Sequence, residues 1–162
     1  MYNNFMRIIS IDPGYERVGI AVLEKAAGKE KVLYSNCFKT KAGTDLNQRI
    51  MLVGEETRRV INEFQPEVMA VEKLFFTTNQ KTAMGVSEAR GVIINEAKQK
   101  GLKVFEYTPL QVKMAVTGYG KATKGQVISM VNKLVSIGKE VKSDDEMDAI
   151  AIGLTCAASE KF

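Results

Sequence analysis

Four acidic residues stand where carboxylates are costly. Asp12 closes the apolar run Met6-Arg7-Ile8-Ile9-Ser10-Ile11, and Glu72 closes Val68-Met69-Ala70-Val71. Asp145 and Asp148 open a strongly apolar C-terminal segment, 147–158. A carboxylate at the edge of a core loses hydration, which costs several kcal/mol unless a cation or hydrogen bonds replace the water. Four of them imply a shared counter-ion. The chain contains no histidine, which excludes Ser-His-Asp triads, imidazole general bases and His-rich zinc sites. What remains is an oxygen-only donor set, suited to a hard cation such as Mg²⁺ or Mn²⁺.

Plainer roles compete with this one. Asp before Pro-Gly is a common turn former, and acids in the first turn of a helix complement its macrodipole. The second role suits Asp145 as well as a ligand role does. Asp148 lies a full turn further in, followed by Ala149-Ile150-Ala151-Ile152, where the dipole benefit has faded. The i, i+3 spacing puts Asp145 and Asp148 on one helix face. Glu72, at the end of a strand, has few structural uses.

The elements that must carry these acids are legible in outline. Residues 7–12 read as a buried strand broken by Asp12-Pro13-Gly14, and 17–23 and 32–38 as two more, turning at Gly28-Lys29. Helical spacing runs over 46–64 until Pro66 stops it. A short strand follows at 68–72, then a long helix from about 79 to 100 with Gly101 as its C′ residue. Residues 103–107 form a fifth strand, Pro109 opens a short helix reaching 116, and another helix begins at Thr123 or Lys124 and ends near Gly138. Ser143 and Glu146 have the spacing of a capping box for the last helix. Strands first, then strands alternating with helices, predict an α/β fold with a five-stranded mixed sheet flanked by helices on both faces.

At 162 residues, the chain has the length of a single domain, 1–162, and its 45% hydrophobic and 26% charged content is ordinary. Its net charge of +4 is unevenly spread: residues 97–142 hold nine lysines against two glutamates. A basic segment beside an acidic cage suits a polyanion whose phosphates meet a catalytic ion. Cys37 and Cys156 both lie in apolar contexts and read as free thiols in a reducing cytoplasm. The N-terminus lacks the charged and apolar regions of a signal peptide, and no apolar stretch approaches the roughly 20 residues that span a bilayer. The reading is a cytoplasmic protein with no membrane partner.

Asp12-Pro13-Gly14 followed by Gly19, then Val71-Glu72-Lys73-Leu74-Phe75, then Asp145-Glu146-Met147-Asp148-Ala149-Ile150-Ala151 resemble the RuvC family of Holliday-junction resolvases. Ala89-Arg90-Gly91 and the stretch from Lys113 through Thr117-Gly118-Tyr119-Gly120-Lys121-Ala122 to Val127 extend the match. Any one motif is weak, but the ordered set covers nearly the whole chain and is specific.

The resemblance implies an RNase H-like fold and a homodimeric endonuclease that resolves four-way DNA junctions by paired symmetric nicks. It makes Asp12, Glu72, Asp145 and Asp148 the catalytic metal ligands, for two Mg²⁺ ions with Mn²⁺ able to substitute. Two such ions about 4 Å apart activate a water and stabilise the leaving 3′ oxygen of an in-line displacement. A 5′-phosphate and a 3′-hydroxyl would result. Lys124 would stabilise transition-state charge and Lys113 would position the DNA backbone, with Lys121 a further DNA contact. Phe75 would stack on bases at the junction centre, with Phe76 a core neighbour. Arg90 fits both a DNA surface and a dimer interface. The helix from about 79, with Met84, Ala89, Val92, Ile93 and Ala97 as an apolar stripe, would dimerise. Asp144 reads by default as a helix-capping acid. A branch-migration motor is a further partner of this family.

Other classes fit less well. A ribonuclease H places its glutamate on the first helix, whereas Glu72 ends the fourth strand. ATP phosphotransferases of the actin or sugar-kinase type also open with D-x-G-x-x-x-x-G, but need two lobes and several hundred residues. A junction-binding module that does not cut would lack one of the acids, and all four are present.

Overall fold

The computed structural model describes residues 5–26, 29–74 and 80–161. Three strands come first: β1 (Met6–Asp12), β2 (Arg17–Lys25) and β3 (Glu30–Lys39). Helix α1 (Leu46–Phe64) leads to β4 (Val68–Glu72), α2 (Gln80–Gln99) to β5 (Lys103–Tyr107). Then come α3 (Pro109–Thr117), α4 (Lys124–Leu134), β6 (Val135–Ser136) and α5 (Asp144–Ser159). The strands form one mixed sheet in the order β5-β4-β1-β2-β3-β6. β1, β2 and β3 pair antiparallel, while β4 joins β1, β5 joins β4 and β6 joins β3 in parallel.

The sheet therefore has six strands where the sequence predicts five. The extra strand comes from the far end of the helix expected to reach Gly138. That helix stops at Leu134, because Val135 turns to extended dihedrals (φ −125°, ψ 147°), buries its side chain and pairs with Glu30. Two residues are too few to show any alternation in a sequence.

Successive strand residues face opposite layers. Ile8, Ala21, Leu23, Val68 and Ala70 pack against α3, α4 and α5. Ile9, Ile11, Ile20, Val22 and Met69 face α1 and α2. Both faces are covered, as predicted. Burying this much apolar side chain, at about 1.5–3 kcal/mol for each large residue, is what holds the layers together.

Local signals set most boundaries. The Asp45 side chain caps α1 by accepting from the backbone of Asn47 and Gln48, and Gln65 ends the helix in a left-handed conformation before Pro66. Thr108 with Gln111 and Thr123 with Gln126 form complete capping boxes for α3 and α4. Gly101, at φ 77°, closes the turn after α2. The box predicted for α5 does not form. Ser143 is the N-cap residue without a side-chain cap bond, and the buried Glu146 carboxylate instead accepts from Ser35 Oγ and Lys139 Nζ, both at 2.6 Å. Glu146 meets β3 rather than reaching back to the start of its own helix.

Helix α5 lies unusually close to β1 and β2, and two glycines permit it. A Cβ on Gly19 would stand 1.9 Å from the Asp145 carbonyl oxygen, and one on Gly153 would stand 2.6 Å from a Leu23 methyl. The first contact sets the height of the helix's acidic end over the sheet.

Candidate active site

Asp12 and Glu72 are the last residues of neighbouring parallel strands, in a register that pairs Ile11 with Val71. Their carboxylates therefore emerge side by side at the C-terminal edge of the sheet centre, where open α/β sheets form their ligand crevices. Helix α5, seated on Gly19, brings Asp145 and Asp148 to the same edge. Four acids spread over the chain share one site.

Electrostatics reflect the crowding. Burial, followed by repulsion from Glu72, Asp148 and Asp145, pushes the Asp12 carboxyl up to about 8. Burial and Asp148 raise Glu72. Burial also raises Asp148, despite the opposing Lys124 ammonium. Asp145 goes the other way: burial opposes its charge, but hydrogen bonding from Arg17 overcomes this and holds the carboxyl below its ordinary value. A carboxyl as desolvated as Asp12, with three acids around it, calls for a cation.

The donor set fits a hard divalent ion, since every candidate ligand is a carboxylate oxygen. Among the described residues no three acids already stand in a closed ligating arrangement. The two helix acids are turned to the chain's own cations. Arg17 Nε donates to Asp145 Oδ2 at 2.7 Å, and Lys124 Nζ lies 3.2 Å from Asp148 Oδ2. Lys124 also lies 3.2 Å from Asp144 Oδ2. Asp144 is thus an exposed first-turn acid of α5 that shares a cation with Asp148, whereas Ser143 occupies the capping position.

Beside the acids is a cavity of about 280 Å³. Glu72, Asp148, Lys113 and Lys124 line its polar part, and Val112, Val127 and Ile152 its apolar part. Both predicted active-site lysines therefore line the same cavity as Glu72 and Asp148, from α3 and α4. Lys121 is exposed in the turn between those helices and is not among the lining residues.

Arg90 is largely buried on α2 and occupied within the chain. Its Nε donates to the Glu72 backbone carbonyl at 3.0 Å, and its guanidinium pairs with Glu106 on β5. It ties the end of β4 to α2 and β5. Phe75 and Phe76 lie outside the described residues. Sequence reasoning missed Arg17 and the Glu146–Ser35–Lys139 cluster. An arginine at the start of a strand has no local signature that would give it away; its partner is 128 positions distant.

Comparison with known proteins identifies the family and the fold. The sequence model of the family described as crossover junction endodeoxyribonuclease RuvC matches residues 8–156. The crossover junction endodeoxyribonuclease RuvC of Moorella thermoacetica is 46% identical over 95% of this chain and 92% of its own. That of Finegoldia magna is 42% identical over 97% and 96%. Among solved structures, Thermus thermophilus RuvC in complex with a Holliday junction substrate superposes with a TM-score of 0.88, at 32% identity over 94% of this chain and 93% of that one. The yeast mitochondrial Holliday junction resolvase Ydc2 shares the fold alone, with a TM-score of 0.72 at 12% identity over 94% of this chain and 78% of that one. Matched over almost its entire length, the chain belongs to the RuvC family of crossover junction endodeoxyribonucleases and has their RNase H-like fold.

Proposed function

We propose that this protein, acting as one nuclease domain, resolves Holliday junctions by paired symmetric nicks. What carries the reading is the meeting of Asp12, Glu72, Asp145 and Asp148 at one sheet edge, with Lys113 and Lys124 on the adjoining cavity wall. A phosphodiester is anionic, so its hydrolysis needs charge neutralisation more than covalent help. Two Mg²⁺ ions held by the four acids, with Mn²⁺ able to substitute, would neutralise the phosphate and activate water for in-line attack. The half-buried Asp12 and Glu72 would supply ligands fixed by the sheet, and the α5 acids would supply the other two. Lys124 would face the charge that develops in the transition state, and Lys113 would hold the neighbouring backbone.

A homodimer would present two such sites for two nicks. In support, α1 and α2 leave Met51 and Met84 exposed as apolar surface. A branch-migration motor is the further partner that this reading carries. The described helices include none long and apolar enough to cross a membrane, and the proposed place of action is DNA in the cytoplasm. Phe75 would stack at the junction centre, a contact worth about 1–3 kcal/mol. Fluorescence of 2-aminopurine at the crossover should therefore differ between the wild type and Phe75→Ala, and identical spectra would remove Phe75 from that role.

The deciding experiment is cleavage of a synthetic four-way junction and its matching linear duplexes, with Mg²⁺ and with EDTA. Symmetric nicks on the junction alone, abolished by EDTA, are the expected result. Metal-dependent cutting of every substrate would leave a nuclease of broader specificity. Tight junction binding without cutting would make the protein a binding module.

A further inference from the structure

Asp145 is held unlike its acidic neighbours, by an arginine rather than by one of the cavity lysines. Arg17, the first residue of β2, donates from Nε to Asp145 Oδ2 at 2.7 Å and from Nη2 to Ser143 Oγ at 3.3 Å. Ser143 Oγ in turn donates to the same Oδ2 at 3.3 Å, and the Cys37 thiol on β3 lies 3.6 Å from it. Donors from β2, from β3 and from the residue before α5 thus meet on a single oxygen. Among the described residues no such bond falls on Oδ1.

Fold stability is a poor account of this arrangement. Arg17 is half exposed, and exposed ion pairs contribute little. A carboxylate has lone pairs enough to serve an arginine through one oxygen and a cation through the other. Carboxylates that ligate metals are commonly oriented by hydrogen bonds of this kind.

We propose that Arg17 is a positioning residue for the metal site: by fastening Oδ2, it makes Asp145 a one-oxygen ligand that offers Oδ1 to the cation. The proposal rests on the reading of Asp145 as a ligand. Its physical content is preorganisation. A carboxylate at the first turn of a helix otherwise rotates among several rotamers, and ordering it would oppose binding. Gly19 fixes the height of the Asp145 backbone over β2, and Arg17 fixes the rotation of its side chain. A different role, in which Arg17 merely occupies the site until a cation displaces it, predicts the opposite sign.

The test is Mn²⁺ binding to the full chain without DNA, followed by electron paramagnetic resonance of free Mn²⁺, for wild type, Arg17→Ala, Arg17→Lys and Asp145→Asn. Thermal melts of each variant accompany it. Arg17→Ala should weaken Mn²⁺ binding by about 10-fold or more, with a melting temperature close to wild type. Arg17→Lys keeps the charge but loses the two-point hold, and should fall between the two; it also carries the test should the alanine variant misfold. Unchanged Mn²⁺ affinity in Arg17→Ala would make the pair a surface contact, and tighter binding would make Arg17 a competitor; either overturns the proposal. If Asp145→Asn weakens binding while the arginine variants do not, only the role of Arg17 fails. If Asp145→Asn leaves Mn²⁺ binding unchanged, the ligand reading itself fails, and this proposal with it.

Discussion

Lys124 stands between two acids, 3.2 Å from both Asp144 and Asp148, and on the wall of the cavity that Glu72 and Asp148 line. Burial works against its charge, yet Asp148 and Asp144 raise its pKa, so it remains an ammonium wherever the enzyme would work. In the proposed reaction, a cation so placed would act on transition-state charge more than on binding. Lys124→Ala should slow junction cleavage by about 10²-fold or more while changing junction affinity by only about threefold. Single-turnover rates and gel-shift titrations on one junction would compare the two, and equal losses would refute the catalytic role. Asp12 gives a second prediction at its own carboxyl. Its folded pKa, about 8, is raised above the ordinary carboxylate value, so the folded state holds a proton that the unfolded state releases. Its contribution to stability is complete at low pH and is lost as pH rises through about 8. In EDTA, the melting temperature should fall between pH 6 and pH 8, and Asp12→Asn should flatten that slope. Mg²⁺ should raise the wild-type melting temperature more at pH 8 than at pH 6. Parallel pH profiles for wild type and Asp12→Asn would disprove the shift.

The strands and helices do more than hold these side chains; their ends are the site. Glu72 reaches the acids because β4 stops beside β1, and Arg90 fastens that end through the Glu72 carbonyl and through Glu106 on β5. This arrangement predicts that Arg90→Met lowers cleavage by loosening Glu72 while leaving the salt dependence of junction binding unchanged. A DNA contact would instead reduce the slope of log affinity against log salt by about 1. Titrations at several salt concentrations distinguish the two. On the opposite side, α5 carries its acids over β2 only because Gly19 has no side chain to meet the Asp145 backbone. The helix buries almost every residue from Met147 to Ala157, so the register of its acids is set by core packing.

A single copy offers one set of acids, and resolution of a junction needs two cuts. Met51 and Met84 are exposed on the paired helices α1 and α2, at 46% and 70%, far more than their apolar side chains favour. If the proposed homodimer packs on this face, Met84→Glu should shift the protein from dimer to monomer in sedimentation velocity. On a supercoiled cruciform plasmid it should change the main product from linear DNA, made by coupled cuts, to nicked circles. A variant that stays dimeric and still linearises the plasmid would place the interface elsewhere.

Much of this could be read from the chain directly, because the signals are local. Asp12-Pro13-Gly14 ends a strand by turn chemistry, Pro66 and Gly101 end helices by their backbone limits, and apolar spacing separates helix from strand. The four acids were legible for the same reason, as carboxylates at the edges of apolar runs. The sixth strand, the failed capping box at Ser143 and Glu146, the anchoring of Arg90 and the hold of Arg17 on Asp145 were not. Each depends on which elements meet. Val135 becomes a strand because β3 lies beside it, and Glu146 leaves its own helix end because Ser35 and Lys139 are nearer. Residue type and spacing thus specify which groups are available, whereas their orientation and charge follow from which segments the fold brings together, 16 residues apart for Arg90 and Glu106 and 128 for Arg17 and Asp145.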